Sequence, residues 1–179
     1  MGKKVLIVVD MQGDFVDGPL GTQEARDIVP NVIDKIIEYD LSGDSIIFTL
    51  DTHFANTYKD SQEGKFLPVE HCIRGTEGWH LQNDIDEALC DVFTEVIYIG
   101  KTTFGSMEWM ENIFLDTESI ELIGVCTDIC VVSNALILKA CFPEIPIYVD
   151  ASCCAGTTPE KHKAALEVMK SCQIYVTGE

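Results

Sequence analysis

Glu118-Ser119-Ile120-Glu121-Leu122-Ile123-Gly124 is a short β-rich run, and Val131-Val132-Ser133-Asn134-Ala135-Leu136-Ile137-Leu138-Lys139-Ala140 is an apolar helical one. Val125-Cys126-Thr127-Asp128-Ile129-Cys130 joins them in a tight turn. This strand–turn–helix predicts Cys130 at the start of a helix, with Thr127 or Asp128 as its N-cap. A helix N-terminus favours negative charge, so a thiolate there is expected to have a lowered pKa. The unpaired amides of such a turn can face the oxygen of an attacked carbonyl. A lone cysteine at this place would read as a small core residue; the rest of the chain gives it a chemical setting.

The same alternation extends in both directions. Strand-like runs are expected at Lys4–Val9, Ser45–Leu50, Glu95–Gly100, Ile120–Val125, Ile145–Val149 and Gln173–Thr177. Helical patterns lie at Val29–Tyr39, Asp84–Val92, Ser106–Phe114, Cys130–Cys141 and Pro159–Ser171. Pro30 and Pro159 suit first helical turns. Strands alternating with helices imply an α/β three-layer, doubly wound fold around a mostly parallel sheet of about six strands. The continuous apolar strands, such as Val5–Val9 and Ile46–Leu50, fit burial on both faces. With 179 residues and neither repeat nor linker, one domain over 1–179 is expected. The longest irregular stretch, from His53 to about Gly78, is long enough to be a functional loop.

Composition narrows the partners. The net charge of −18 argues against nucleic acid and anionic membrane surfaces, which call for basic clusters. No apolar run is long enough to span a bilayer. The start is too quickly acidic for a signal peptide, and Leu6 breaks the myristoylation pattern, so a cytoplasmic protein is expected. Eight cysteines without a secretory signal read as reduced thiols, and their spacings do not match zinc motifs. Most of Cys72, Cys90, Cys141, Cys153, Cys154 and Cys172 are expected in the core.

In an open parallel sheet the strands end on one edge, and ligands bind there. Asp10 ends the first strand, Asp51 the second, Lys101 the third, the Val125–Cys130 turn the fourth and Asp150 the fifth. A single strand-end Asp is explained by turn formation, but a converging Asp, Lys and Cys is not. A thiol nucleophile needs a base and a stabilising charge. Asp10 can take the proton, Lys101 can supply the cation, and Cys130 can attack. Because no histidine stands nearby, Asp10 needs a raised pKa, which burial at the rim would provide. Separately, Asp51-Thr52-His53 puts two ligand-type side chains on one side of an extended chain, and His71 follows. Two His and a carboxylate form a catalytic-type metal set with open positions.

Asp10-Met11-Gln12-Gly13-Asp14-Phe15, Lys101-Thr102-Thr103-Phe104 and Gly124-Val125-Cys126-Thr127-Asp128-Ile129-Cys130-Val131 resemble the three signature motifs of the isochorismatase-like cysteine hydrolases, which include the nicotinamidases. The resemblance covers essentially the whole chain. It implies a triad of Asp10, Lys101 and Cys130, an oxyanion hole from the amides of Cys126 and Cys130, and a cis Val125–Cys126 peptide. It also implies a divalent metal, zinc or iron, on Asp51, His53 and His71, with Glu63 as a candidate fourth ligand. The implied reaction cleaves a small amide through a thioester, nicotinamide to nicotinic acid and ammonia being the nearest case, in a homo-oligomer (dimer or tetramer). Three departures stand out. Gly13 replaces the usual Asn, Cys126 replaces a small Ala, and Leu67-Pro68-Val69-Glu70 replaces an aromatic, Pro-rich run that stacks on the pyridine. Phe15 and Phe104, or Trp79, are the candidates to supply that ring. The alternatives are a metal-free isochorismatase-like or carbamoyl/ureido-amide hydrolase, and a catalytically silent binding member of the family. A receiver-like signalling domain would leave Cys130, His53 and His71 unexplained.

Overall fold

The computed structural model describes residues 2–179. Six parallel strands form one sheet: β1 (Lys4–Val9), β2 (Ser45–Asp51), β3 (Val96–Lys101), β4 (Ser119–Val125), β5 (Ile147–Ala155) and β6 (Tyr175–Thr177). Their order is β3-β2-β1-β4-β5-β6. The sheet is therefore wound outward in both directions from the β1–β4 pair, where a crevice opens at the carboxyl ends of the strands. Helices α1 (Gly13–Val16), α2 (Gln23–Asp27), α3 (Val29–Ser42), α4 (Gln62–Phe66), α5 (Asn83–Leu89), α6 (Trp109–Asn112), α7 (Val132–Cys141) and α8 (Pro159–Ser171) connect the strands.

The three layers follow from β1 itself. Val5, Ile7 and Val9 point into a core shared with Trp109 of α6, Ala135 and Leu138 of α7, and Leu166 and Met169 of α8. Leu6 and Val8 point the other way, against Val32 and Ile36 of α3 and Ile85 of α5. Alternating side chains that are all apolar are what a strand buried on both faces requires. Gly124 lies where β4 crosses closest to β1: its φ is +112°, and a Cβ there would run into the Val9 carbonyl.

Several expectations shift. β5 continues six residues beyond Val149, past a register irregularity opposite Leu122–Gly124, so Asp150 lies inside a strand rather than at its end. Its carboxylate pairs with Lys35 of α3 at 3.1 Å, away from the rim. The helices expected at Asp84–Val92 and Ser106–Phe114 shorten to α5 and α6, and the strand expected from Ile145 starts at Ile147. The irregular stretch after β2 carries α4 and two short 3-10 turns, Tyr58–Asp60 and Glu77–Trp79. Cys72, Cys153 and Cys154 are buried, Cys141 and Cys172 are half-buried, and Cys90 is exposed.

Candidate active site

Asp10 follows β1 directly and takes a left-handed φ of 49°, a backbone conformation uncommon for a side-chain-bearing residue and enriched at functional positions. The Thr49 hydroxyl of β2 holds it there as acceptor and donor at once: the Asp10 amide donates to Thr49 Oγ1 at 3.2 Å, and Thr49 Oγ1 donates to Asp10 Oδ1 at 2.7 Å. Lys101, the last residue of β3, brings its ammonium to 2.6 Å from Asp10 Oδ2, 3.7 Å from Cys130 Sγ and 3.7 Å from Asp51 Oδ1. Beyond that ion pair Oδ2 accepts no hydrogen bond, so it retains acceptor capacity. The strand ends thus unite Asp10, Lys101 and Cys130, as the parallel sheet required.

The turn carrying Cys130 differs from its expected form. Thr127–Val131 is one π-helical turn, α7 begins only after it, and neither Thr127 nor Asp128 caps a helix. Thr127 Oγ1 lies 2.8 Å from His162 Nδ1 of α8. Asp128 accepts from the Thr157 amide at 2.7 Å and from its hydroxyl at 2.6 Å. These contacts tie the turn to the loop after β5. Inside it, the amides of Ile129 and Val131 both donate to the Cys126 carbonyl, at 3.0 and 3.1 Å. The Val125–Cys126 peptide is cis.

Burial governs the charges here. It raises the Asp10 carboxyl above its ordinary value against the pull of Lys101. It also pushes the Cys130 thiol well above its own, with the Asp10 charge adding to the effect and Lys101 opposing it. The expected lowering of the thiol by a helix N-terminus is therefore overturned: the sulfur is buried, and a carboxylate is nearby. Lys101 resists its burial, because Asp10, Cys130 and Asp51 together raise its pKa. The resting group is a protonated thiol beside a proton-hungry carboxylate and a fixed cation.

A second cluster adjoins it through Asp51. His53 Nε2 lies 2.9 Å from Asp51 Oδ2 and 3.7 Å from Glu63 Oε2; His71 Nε2 lies 3.5 Å from Asp51 Oδ2 and 3.6 Å from Glu63 Oε1. One ligand atom from each of the four residues falls within 4.8 Å of the others. His71 Nδ1 faces the Val69 carbonyl at 2.9 Å, an acceptor only, so Nδ1 carries the hydrogen and Nε2 is left to face the carboxylates. Burial opposes a proton on His71, yet hydrogen bonds to Asp51 and Glu63 raise its pKa to about 10. Burial likewise opposes the Asp51 charge, and the bonds from His53 and His71 overcome it, holding the carboxyl below its usual range. Two imidazoles and two carboxylates that demand a positive charge at their centre fit a divalent cation of the zinc or iron type.

Cys130 and the four-residue cluster around Asp51 border one cavity of about 860 Å³. Phe15, Phe104, Cys126, Cys130, Asp51, His53, Glu63 and His71 line it, together with Leu20, Ala25, Phe66, Leu67 and Ile129. Phe15 packs against the His71 ring at 5.3 Å between centroids. Trp79, the other ring candidate, does not border the cavity; its indole N–H donates to Thr52 Oγ1 at 3.0 Å. Two supporting residues went unread in the sequence. Gln12 donates to the Asp51 carbonyl at 2.9 Å and the Trp79 carbonyl at 2.7 Å, and accepts from the Asp51 amide at 2.7 Å. Asn134 donates to the Cys130 carbonyl at 2.8 Å and accepts from the Ser106 amide at 2.8 Å.

The isochorismatase domain family model matches residues 4–179. The chain belongs to the isochorismatase family. Among curated relatives, an uncharacterized isochorismatase family protein, PncA of Bacillus subtilis, is 30% identical over 147 residues, 75% of this chain and 77% of that protein. The crystal structure of nicotinamidase/pyrazinamidase PncA from Bacillus subtilis superposes with a TM-score of 0.83 at 28% identity, covering 98% of this chain and 99% of the other. The pyrazinamidase of Pyrococcus horikoshii, solved in complex with zinc, gives a TM-score of 0.80 at 26% identity, with 99% of each chain covered. The family's hydrolase fold is thus common to all of them.

Proposed function

We propose that the chain, acting as one domain over 1–179, is an amidase of nicotinamidase type that cleaves the C–N bond of a small amide through a thioester on Cys130. The observation that carries this reading is the Lys101 ammonium, 2.6 Å from Asp10 and 3.7 Å from the Cys130 sulfur that borders the cavity. Asp10, with its raised proton affinity, takes the thiol proton while Lys101 keeps the resulting charge neutralised. The thiolate adds to the amide carbonyl, and the amides of Cys126 and Cys130 hold the oxyanion. Asp10 returns the proton to the nitrogen, the C–N bond breaks and ammonia leaves. Water, deprotonated by Asp10, then cleaves the thioester to give the carboxylic acid and the free thiol.

Asp51, His53, His71 and Glu63 would hold a divalent metal, zinc or iron. A bound ion supplies a Lewis-acid anchor for a ring nitrogen or an ordered water. Phe15 and Phe104 offer rings beside the substrate's own. Among the described residues, none that borders the cavity is Lys or Arg. Away from the metal ligands the lining offers a carboxylate no cation, so a neutral amide suits it better than isochorismate or a carbamoyl acid. Among the described residues no helix is long and apolar enough to cross a membrane; a cytoplasmic location is part of the same proposal. A homo-oligomer, dimer or tetramer, is supported by the exposed Met107, Met110, Phe114 and Leu115.

Ammonia release from nicotinamide, pyrazinamide, carbamoyl and ureido compounds tests this reading. Neutral amides are expected to be turned over and carbamoyl acids not. Cys130→Ala is expected to lose at least about 10³-fold in kcat with its fold intact, because it removes only the nucleophile. Ammonia release by that variant at the wild-type rate rules out the thioester.

A further inference from the structure

We propose that the amide this site takes carries a bulky apolar substituent, so that the preferred substrates are alkyl- or aryl-substituted aromatic amides rather than a bare single ring. The inference rests on the amidase reading above and goes on from the shape of the cavity. A single-ring amide displaces roughly the volume of five or six waters, at about 30 Å³ each, which is about a fifth of the 860 Å³ present. A cavity of that size matches ligands several-fold larger.

The ionisable groups of the cavity are concentrated. Asp51, His53, Glu63 and His71 lie together, and Cys130 stands beside them across Lys101. The remainder of the wall is mainly hydrocarbon: Leu20, Ala25, Phe66, Leu67, Phe104 and Ile129. Apart from Ile129, which shares the π-helical turn with Cys130, these side chains come from elements that carry none of the catalytic triad. Leu20 precedes α2, Phe66 ends the same short helix that carries Glu63, and Phe104 lies in the loop after β3. Phe66 and Phe104 are 82% and 48% exposed, a large apolar area to leave wet at the mouth of a cavity. A hydrophobic substituent reaching from the reacting amide toward that mouth would cover both rings. Charge points the same way, since a lining without Lys or Arg among the described residues offers an anionic substituent no counter-ion.

The test measures ammonia release by the metal-loaded enzyme from nicotinamide and from ring-alkylated and ring-benzylated nicotinamides. Each methylene buried contributes roughly a fourfold factor. A butyl or benzyl group is therefore expected to raise kcat/KM by about tenfold to a hundredfold over nicotinamide. Two variants locate the effect. In Phe66→Ala and in Leu20→Trp the ratio of kcat/KM for the benzylated amide to that for nicotinamide is expected to fall at least about fivefold. The first variant removes apolar wall and the second fills space, so misfolding of one leaves the other informative. Brisk release from nicotinamide with no gain from any substituent overturns this inference and leaves the amidase reading standing. No release from any amide, with a thiol that still alkylates, overturns both.

Discussion

At Lys101 one ammonium answers to three anionic or potentially anionic groups, Asp10, Cys130 and Asp51, in a site where burial leaves no solvent to share the load. Removing it by Lys101→Ala leaves Asp10 buried beside a thiol, at an expected cost of about 3–5 kcal/mol in stability, read from chemical denaturation. On the folded protein, alkylation of Cys130 by iodoacetamide is expected to slow by at least about tenfold, because the thiolate has lost its cation. The wild-type thiol has a raised pKa, so its alkylation rate should keep climbing as pH rises from neutral to alkaline rather than level off near pH 7. A plateau at neutral pH, or equal rates in variant and wild type, would make Lys101 a structural residue. Asp10, Lys101 and Asp51 were legible in the sequence because parallel strands end on one edge. The direction of the Cys130 shift was not, since a helix N-terminus can be read from residue types but complete burial cannot. Gln12 and Asn134 escaped for a related reason. Each satisfies backbone groups of distant segments, and no local pattern marks a side chain for that task.

Among the elements, the π-helical turn Thr127–Val131 is tied to the loop after β5 by Asp128 as well as to α7 by Asn134. Asp128→Ala strips both hydrogen bonds to Thr157 and is expected to cost about 1–3 kcal/mol. Because the turn carries Cys130 and directly follows Cys126, kcat is expected to fall by about tenfold or more while KM changes less. Stopped-flow or steady-state kinetics would show the split, and a variant that loses stability but keeps kcat would mean the turn holds its shape unaided. The strands and the long helices α3 and α8 were readable from their apolar periods. Helices α1, α2 and α4 were not, since four or five residues are too few to display a 3.6-residue repeat. The end of β5 was lost in Ser152-Cys153-Cys154-Ala155, whose small residues read as turn or core equally well. That is why Asp150 was misplaced at the rim.

For the molecule as a whole, the four-residue cluster beside Asp51 couples metal, proton and stability. His71 is raised from 6.5 to about 10, so its protonated form contributes stability that is complete below about pH 6.5 and is lost as pH climbs to about 10. Asp51 has the opposite sign: its contribution is present above about pH 3.8 and fades only as the solution becomes strongly acidic. Chelated protein should therefore lose Tm progressively between pH 6.5 and 10. A divalent cation competes with the His71 proton, so the Tm gain on adding zinc should grow across that same window. Differential scanning fluorimetry at several pH values reads both trends, and a gain that shrinks with pH would place the ion on other residues. The family, the sheet and the approach of Asp51, His53, Glu63 and His71 could all be anticipated from motif and spacing. The size of the cavity could not, because it is set by which side chains fail to meet.

The four candidate metal ligands fall within Asp51–His71, whereas Asp10 precedes that stretch, Lys101 ends β3 and Cys130 lies in the turn after β4, with Asp51 reaching both groups. Metal-based recognition is thus encoded in one stretch of the gene, set between the residues that break the bond. The loop from His53 to Gly78 begins at β2 and ends before α5, so it can be exchanged as a cassette without recutting the sheet. A fold arranged this way can acquire a new leaving group or a new ring by recombination at two fixed junctions, while the thiol, its base and its cation are inherited intact.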